Sequence, residues 1–197
     1  NMLGRSKAFW ESLYPEVQAL VPLLKDVTLD NFITGINFVE PSLIRIEADE
    51  LTYPLHVMVR YEIEKGLFDG SLTVDHLDQV WADKMESYLG VRPANASEGV
   101  LQDVHWSGAM FGYFPTYALG SAYSAQWMKA LRKDVDVEKA LRTNDFASIK
   151  NWLAKHIHTH GGVYEPKELL ISVTGEPFNP QYYVVYLKVK VTRLFDL

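Results

Sequence analysis

The chain has 197 residues, 48% of them apolar, which is enough to bury a substantial core. Nineteen Lys and Arg stand against 25 Asp and Glu, a formal net charge of -6, and no basic run or basic-aromatic stripe tracks a phosphate backbone, so the balance argues against nucleic acid as a partner. The absence of cysteine excludes disulfides, thiolate metal sites and a thiol nucleophile; it is compatible with a cytoplasmic location, and no apolar run reaches the roughly 20 residues of a membrane helix.

The N-terminal residues Asn1 to Ser6 lack the apolar core of a secretory signal, and the Asn95-Ala96-Ser97 sequon is read as chance. Ser6 is placed to cap a first helix whose apolar positions Phe9, Trp10, Leu13, Val17, Leu20 and Leu24 keep helical spacing, with Pro15 kinking or restarting it. Thr28 then caps a short helix through Leu29, Phe32, Ile33 and Ile36. From Leu43 to Ala48 the pattern alternates, with Ile44, Ile46 and Ala48 on one side and Arg45 and Glu47 on the other, which predicts a short strand or extended link.

A long helix is expected from Asp49 or Thr52 to about Phe68, carrying Leu51, Leu55, Val59, Ile63 and Leu67. Gly70 ends it, and Thr73 opens the next, with Leu77, Val80, Trp81, Met85 and Leu89 on one face before Gly90 and Pro93. Residues 94 to 112 show neither period and are expected to form a long irregular segment, which in compact domains is functional or disordered; its aromatic content argues for order. Pro115 suits the first turn of a helix to about Lys133. Further helices follow after Asn144 or Asp145, from Pro166 to Thr174, and after Asn179-Pro180. In the last of these strand-forming residues compete with the helical spacing of Tyr183, Leu187, Val191 and Leu194. One all-α domain over 1–197 is the expectation.

His156, His158 and His160 offer two histidines four apart on a helix face, but Ile157 stands where an HExxH motif needs its glutamate, so a capping or surface role is favoured. Arg45 has the fork to grip a carboxylate, and on spacing alone a structural ion pair with Asp49 or Glu50 is favoured. Arg60 and Glu64, four apart, read as a solvated pair. The stretch from Gly99 to Gly120 concentrates Gln102, Asp103, His105, Tyr113 and Tyr117 among glycines. Asp103 is near enough to orient a His105 nitrogen, and Tyr113 or Tyr117 could aim a phenol at an oxyanion. Residue types alone leave this reading level with a buried polar cluster.

The same stretch resembles a known family. Gly99, Gln102, Asp103, His105 and Trp106 match Gly-x-x-Gln-Asp-x-His-Trp, and Phe111 to Gly120 matches the run that follows it. Ile44, Arg45, Ala48 and Asp49 match Ile-Arg-x-x-Ala-Asp, continued by Glu50-Leu51-Thr52-Tyr53. Tyr88-Leu89-Gly90, His160-Gly161 and Val173 to Pro177 with Asn179-Pro180 extend the agreement over nearly the whole chain. The chain is similar to the C-terminal portion of the HExxH zinc metallocarboxypeptidases of the carboxypeptidase Taq family.

That resemblance implies a mainly helical, bundle-like part of a grooved peptidase, with at most a short strand near 43–48. It implies zinc, or another divalent metal such as cobalt, in the intact enzyme. The HExxH and third-ligand motifs are absent here and are expected upstream of Asn1, so no metal ligand is assigned in this chain and the chain alone is expected to be inactive. The implied roles are a carboxylate anchor for Arg45, a donor to substrate or transition state for His105 with Gln102 and Asp103 holding it, and an oxyanion donor for Tyr117, with Tyr113 second. Implied partners are peptide C-termini, a second copy in a homodimer or the missing N-terminal part, with no nucleic acid and no membrane. The competing expectation is a non-catalytic helical module that binds a peptide or partner helix.

Overall fold

The computed structural model describes residues 1–197 and holds nine α-helices, four 3₁₀ turns and no strand. The helices are α1 (Lys7–Leu20), α2 (Leu29–Ile36), α3 (Tyr53–Asp69), α4 (Leu77–Leu89), α5 (Phe114–Asp134), α6 (Val137–Arg142), α7 (Phe146–His156), α8 (Pro166–Thr174) and α9 (Gln181–Phe195). The fold is all-α, as the patterning predicts. No helix is long and apolar enough to cross a membrane.

Contacts gather into two compact units, residues 1–37 with 121–197, and residues 38–120. In the first, the Ser6 side chain accepts from the Phe9 amide and that of Thr28 from the Asn31 amide, the caps read from sequence. Pro15 sits inside α1 without ending it. Asp145, not Asn144, caps α7, while Asn144 takes a positive φ of 57°. The core joins Ala8 of α1 to Leu131, Val137, Leu141, Ile149 and Trp152, and the Trp152 indole donates to Asp134 at 2.7 Å. Helix α6 is too short for a period to show in the sequence; Asp136 caps it through the Lys139 amide. Helix α9 forms across its strand-prone sequence because Tyr183 and Leu187, one turn apart, are both buried on one side of it.

The three histidines do not share a helix face. Helix α7 stops at His156, whose ring stacks on Trp152 at 4.5 Å. Ile157 leaves the helical region with φ -127°, and His158–His160 form a separate 3₁₀ turn.

The second unit is built on the antiparallel pair α3 and α4, each closed by a glycine in the left-handed region, Gly70 at φ 78° and Gly90 at φ 70°. Val59 and Ile63 of α3 meet Trp81, Met85 and Leu89 of α4 in a fully buried seam, each aliphatic side chain contributing roughly 1.5–3 kcal/mol by leaving water. The strand expected near 43–48 is not formed. Ile44 is extended, Arg45–Glu47 make a 3₁₀ turn, and the alternation is broken, with Arg45 buried and Ile46 and Glu47 both exposed. The physical reason is a polar demand from elsewhere in the unit, described next.

Candidate active site

Helix α3 begins where Asp49 takes the exposed amides, its Oδ1 accepting from Leu51 and Thr52 at 2.8 and 3.0 Å and its Oδ2 from the Thr52 hydroxyl at 2.8 Å. This spends Asp49 on the turn that leads into α3, whose N-cap residue is Thr52, and not on Arg45. One face of α3 then carries His56, Arg60 and Glu64 at four-residue spacing, all buried, while Met58, Tyr61 and Phe68 are exposed. The solvated Arg60–Glu64 pair is therefore corrected. Each has found a different partner in the irregular segment after α4.

That segment delivers Gln102 and Asp103 to α3. The Gln102 amide is fully used: its oxygen accepts from the Arg45 backbone amide and from Arg60 Nη2, both at 2.9 Å, and its nitrogen donates to the carbonyls of Leu43 and Glu98 at 3.0 and 2.9 Å. Asp103 bridges two guanidiniums, Oδ1 receiving Arg45 Nη2 at 2.7 Å and Oδ2 receiving Arg60 Nε at 2.6 Å. Arg45 Nη1 donates to the Tyr53 hydroxyl at 2.9 Å, so of its five N–H groups one on each terminal nitrogen is left over. The Arg60 guanidinium lies 4.5 Å from the Trp81 ring centre and that of Arg45 5.0 Å from Tyr117.

The charges follow from this packing. Burial pushes the Asp103 carboxyl up, but the hydrogen bonds and positive charges of Arg45 and Arg60 outweigh it and hold the group below its ordinary value. Burial pulls Arg45 down, and Asp103 with Tyr53 more than reverses it. For Arg60 burial wins, and its value is lowered to about 10.

His56, fully buried with no partner on either ring nitrogen, is driven down to about 4 by burial and by the neighbouring charges of Arg60 and Arg45. Its folded value lies below the ordinary 6.5, so its neutral form is fully favourable above pH 6.5 and stability is lost as pH falls toward 4, by roughly 3 kcal/mol. Urea unfolding of the 197-residue chain is expected to show this slope, and His56→Leu to flatten it; an unchanged slope would contradict the assignment.

His105 packs its ring against Phe114 at 4.5 Å and sets Nε2 3.1 Å from the Tyr117 hydroxyl. Its Nδ1 is buried without a hydrogen-bond partner, 3.9 Å from Asp103 Oδ1, so Asp103 faces His105 but is spent on the arginines. Tyr117, half-buried one turn into α5, has its phenol raised by burial and then by Tyr113, which keeps it an O–H donor. Tyr113 is exposed and meets Tyr117 edge to face at 5.3 Å.

The structure thus brings Arg45, Gln102, Asp103, His105, Tyr113 and Tyr117 together. The sequence reading missed Arg60, Glu64 and His56. Its available signal was the inverted helix face, a polar row at four-residue spacing beside the apolar row of Val59 and Ile63. No group of three or more His, Asp or Glu side chains is placed to hold a metal ion.

The carboxypeptidase Taq (M32) metallopeptidase family model matches residues 1–191. Carboxypeptidase 1 of Bacillus subtilis is 44% identical over 199 residues, covering 100% of this chain and 40% of that protein. Thermostable carboxypeptidase 1 of Thermus thermophilus is 41% identical, covering 99% of this chain and 38% of that protein. The crystal structure of the M32 carboxypeptidase from Deinococcus radiodurans superposes with a TM-score of 0.95 at 35% identity, over 100% of this chain and 40% of that one. The chain therefore spans about 40% of the length of the curated relatives it matches.

Proposed function

Because the chain belongs to the carboxypeptidase Taq (M32) metallopeptidase family, we propose that it supplies the substrate-facing side of a metallocarboxypeptidase that releases single residues from peptide C-termini. No group of three or more His, Asp or Glu side chains here is placed for a divalent metal, zinc or cobalt included, and the ligands of that ion are proposed to lie in the part of the relatives that this chain does not cover. The 197 residues alone are accordingly proposed to be inactive. A cytoplasmic homodimer is the setting consistent with the family resemblance and the absence of cysteine.

The observation that carries this reading is the 3.1 Å contact between His105 Nε2 and the Tyr117 hydroxyl beside Arg45. When Nε2 carries the hydrogen and donates to the phenol oxygen, the phenol O–H is released to point at an oxyanion developing on the scissile carbonyl. Arg45 keeps two N–H groups on its terminal nitrogens for a terminal carboxylate, while Gln102 and Asp103 lock its orientation. The guanidinium is buried beside the rings of Tyr53, Phe114 and Tyr117, so engaging a carboxylate requires that surround to open.

The test uses the full-length enzyme that contains this chain, assayed on one peptide with a free and with an amidated C-terminus. Arg45→Gln is expected to shrink the free-over-amidated ratio of kcat/KM at least tenfold, on the order of the charge-assisted bond it removes. A ratio measured within one variant is insensitive to its folded fraction. An undiminished ratio would remove Arg45 from the carboxylate site, and full turnover by the 197-residue chain would overturn its inactivity.

A further inference from the structure

His105 and Tyr117 sit at opposite ends of a loop that has little of its own to hold it. Ser107 to Phe111 are exposed apart from the chain's own turns, and the backbone enters the left-handed region twice, at Gly112 with φ 77° and at Ala109, a residue with a Cβ, with φ 58°. The internal bonds are local, the Gly108 amide to Val104 at 3.0 Å, Ala109 to Trp106 at 3.0 Å and Met110 to His105 at 2.8 Å. They fix the turns but not where the loop sits over α3.

Phe111 rests edge to face on Phe68 of α3 at 5.3 Å, and one polar side chain ties both ends of the loop to the same helix. Glu64 of α3 is buried and forms no ion pair; its Oε1 accepts from the Trp106 indole at 2.7 Å and its Oε2 from the Gly112 amide at 3.0 Å. A single carboxylate thereby clasps the two ends of the loop, six residues apart. Trp106 passes the constraint on, meeting Trp81 edge to face at 5.8 Å and Phe114 at 6.0 Å, and Phe114 is the ring on which His105 rests. Burying a charge with only two neutral donors is costly, and the arrangement needs acceptors on both oxygens. A glutamine could serve one end only, because its amide nitrogen would then confront the other donor.

We propose that Glu64 is a positioning residue that sets the distance and orientation of the His105–Tyr117 pair through Trp106 and Gly112. The proposal rests on the reading of that pair as the oxyanion donor. Glu64 fastens both ends of the strap that this loop forms.

The experiment is a double-mutant cycle in the full-length enzyme, with His105 ring signals from imidazole-labelled protein assigned through His105→Gln. Glu64→Gln is expected to lower kcat roughly 10- to 100-fold with KM within about twofold, and to shift the His105 ring signals. In the Tyr117→Phe background the same change is expected to have almost no further effect, since it acts through that pair. An equal loss of kcat in both backgrounds shows a merely structural role and overturns the proposal, as does an unchanged His105 signal. If Tyr117→Phe itself leaves kcat intact, the oxyanion reading fails, and the Glu64 proposal is decided by the His105 signals alone. Should Glu64→Gln fail to fold, Trp106→Phe removes one of the two donors while keeping an aromatic core, and the same outcomes are read from it.

Discussion

Asp103→Asn is expected to destabilise the 197-residue chain by roughly 3–5 kcal/mol, the cost of breaking a buried ion pair from one side. The side chain changes little in size, so cavity formation contributes almost nothing. What is lost is the only carboxylate that compensates two guanidiniums, one from the turn at Arg45 and one from α3 at Arg60, both buried. An amide oxygen can accept from one of them, and its NH₂ then faces the other. The sign of the pH dependence follows from the depressed value. The contribution is fully present above the ordinary carboxylate value of 3.8 and is lost only as pH falls below it through the folded value. Urea unfolding followed by tryptophan fluorescence measures it, and a loss under about 1 kcal/mol would mean that the arginines are solvated after all.

Tyr117→Phe in the full-length enzyme is expected to lower kcat about 10²- to 10³-fold while leaving KM nearly unchanged, the signature of a donor used mainly in the transition state. The ring keeps its contacts with Tyr113 and the Arg45 guanidinium, so stability is expected to change by less than about 1 kcal/mol. Only the hydroxyl facing His105 disappears. The same substitution in Tyr113, whose ring is exposed and whose hydroxyl has no place in the His105 contact, is expected to cost less than threefold. Steady-state assays on one peptide compare the two directly. Comparable losses would transfer the donor role to Tyr113 or to both phenols.

Much of this was legible in the sequence, and the failures share a cause. Helices with a long apolar row or a strong cap, such as α1, α3 and α4, announce themselves because their information is local. The motif residues Gln102, Asp103 and His105 were singled out by type and by resemblance. Arg60 and Glu64 were misread because an Arg and a Glu four apart on a helix look the same whether water or protein surrounds them. What decides the matter is Asp103 and Trp106, 43 and 42 residues away. The alternation at 43–48 misled for a related reason. Arg45 is drawn inward by Asp103, 58 residues along the chain, and Ile46 is turned outward as a consequence. Propensity weighs each residue against its neighbours in sequence, and these positions answer to partners in space.

The bridging of Asp103 by two arginines has a kinetic consequence. Its bonds span 43 and 58 residues, whereas the seam between α3 and α4 joins helices that follow each other in the chain. Closing the longer loops costs entropy before any reward is collected, so the helical hairpin can form early and the polar cluster joins it late. The chemistry-bearing residues are thus the last of their unit to acquire their geometry. Destabilising them should accelerate unfolding far more than it slows folding, and the site should be the first part of the unit to open under stress.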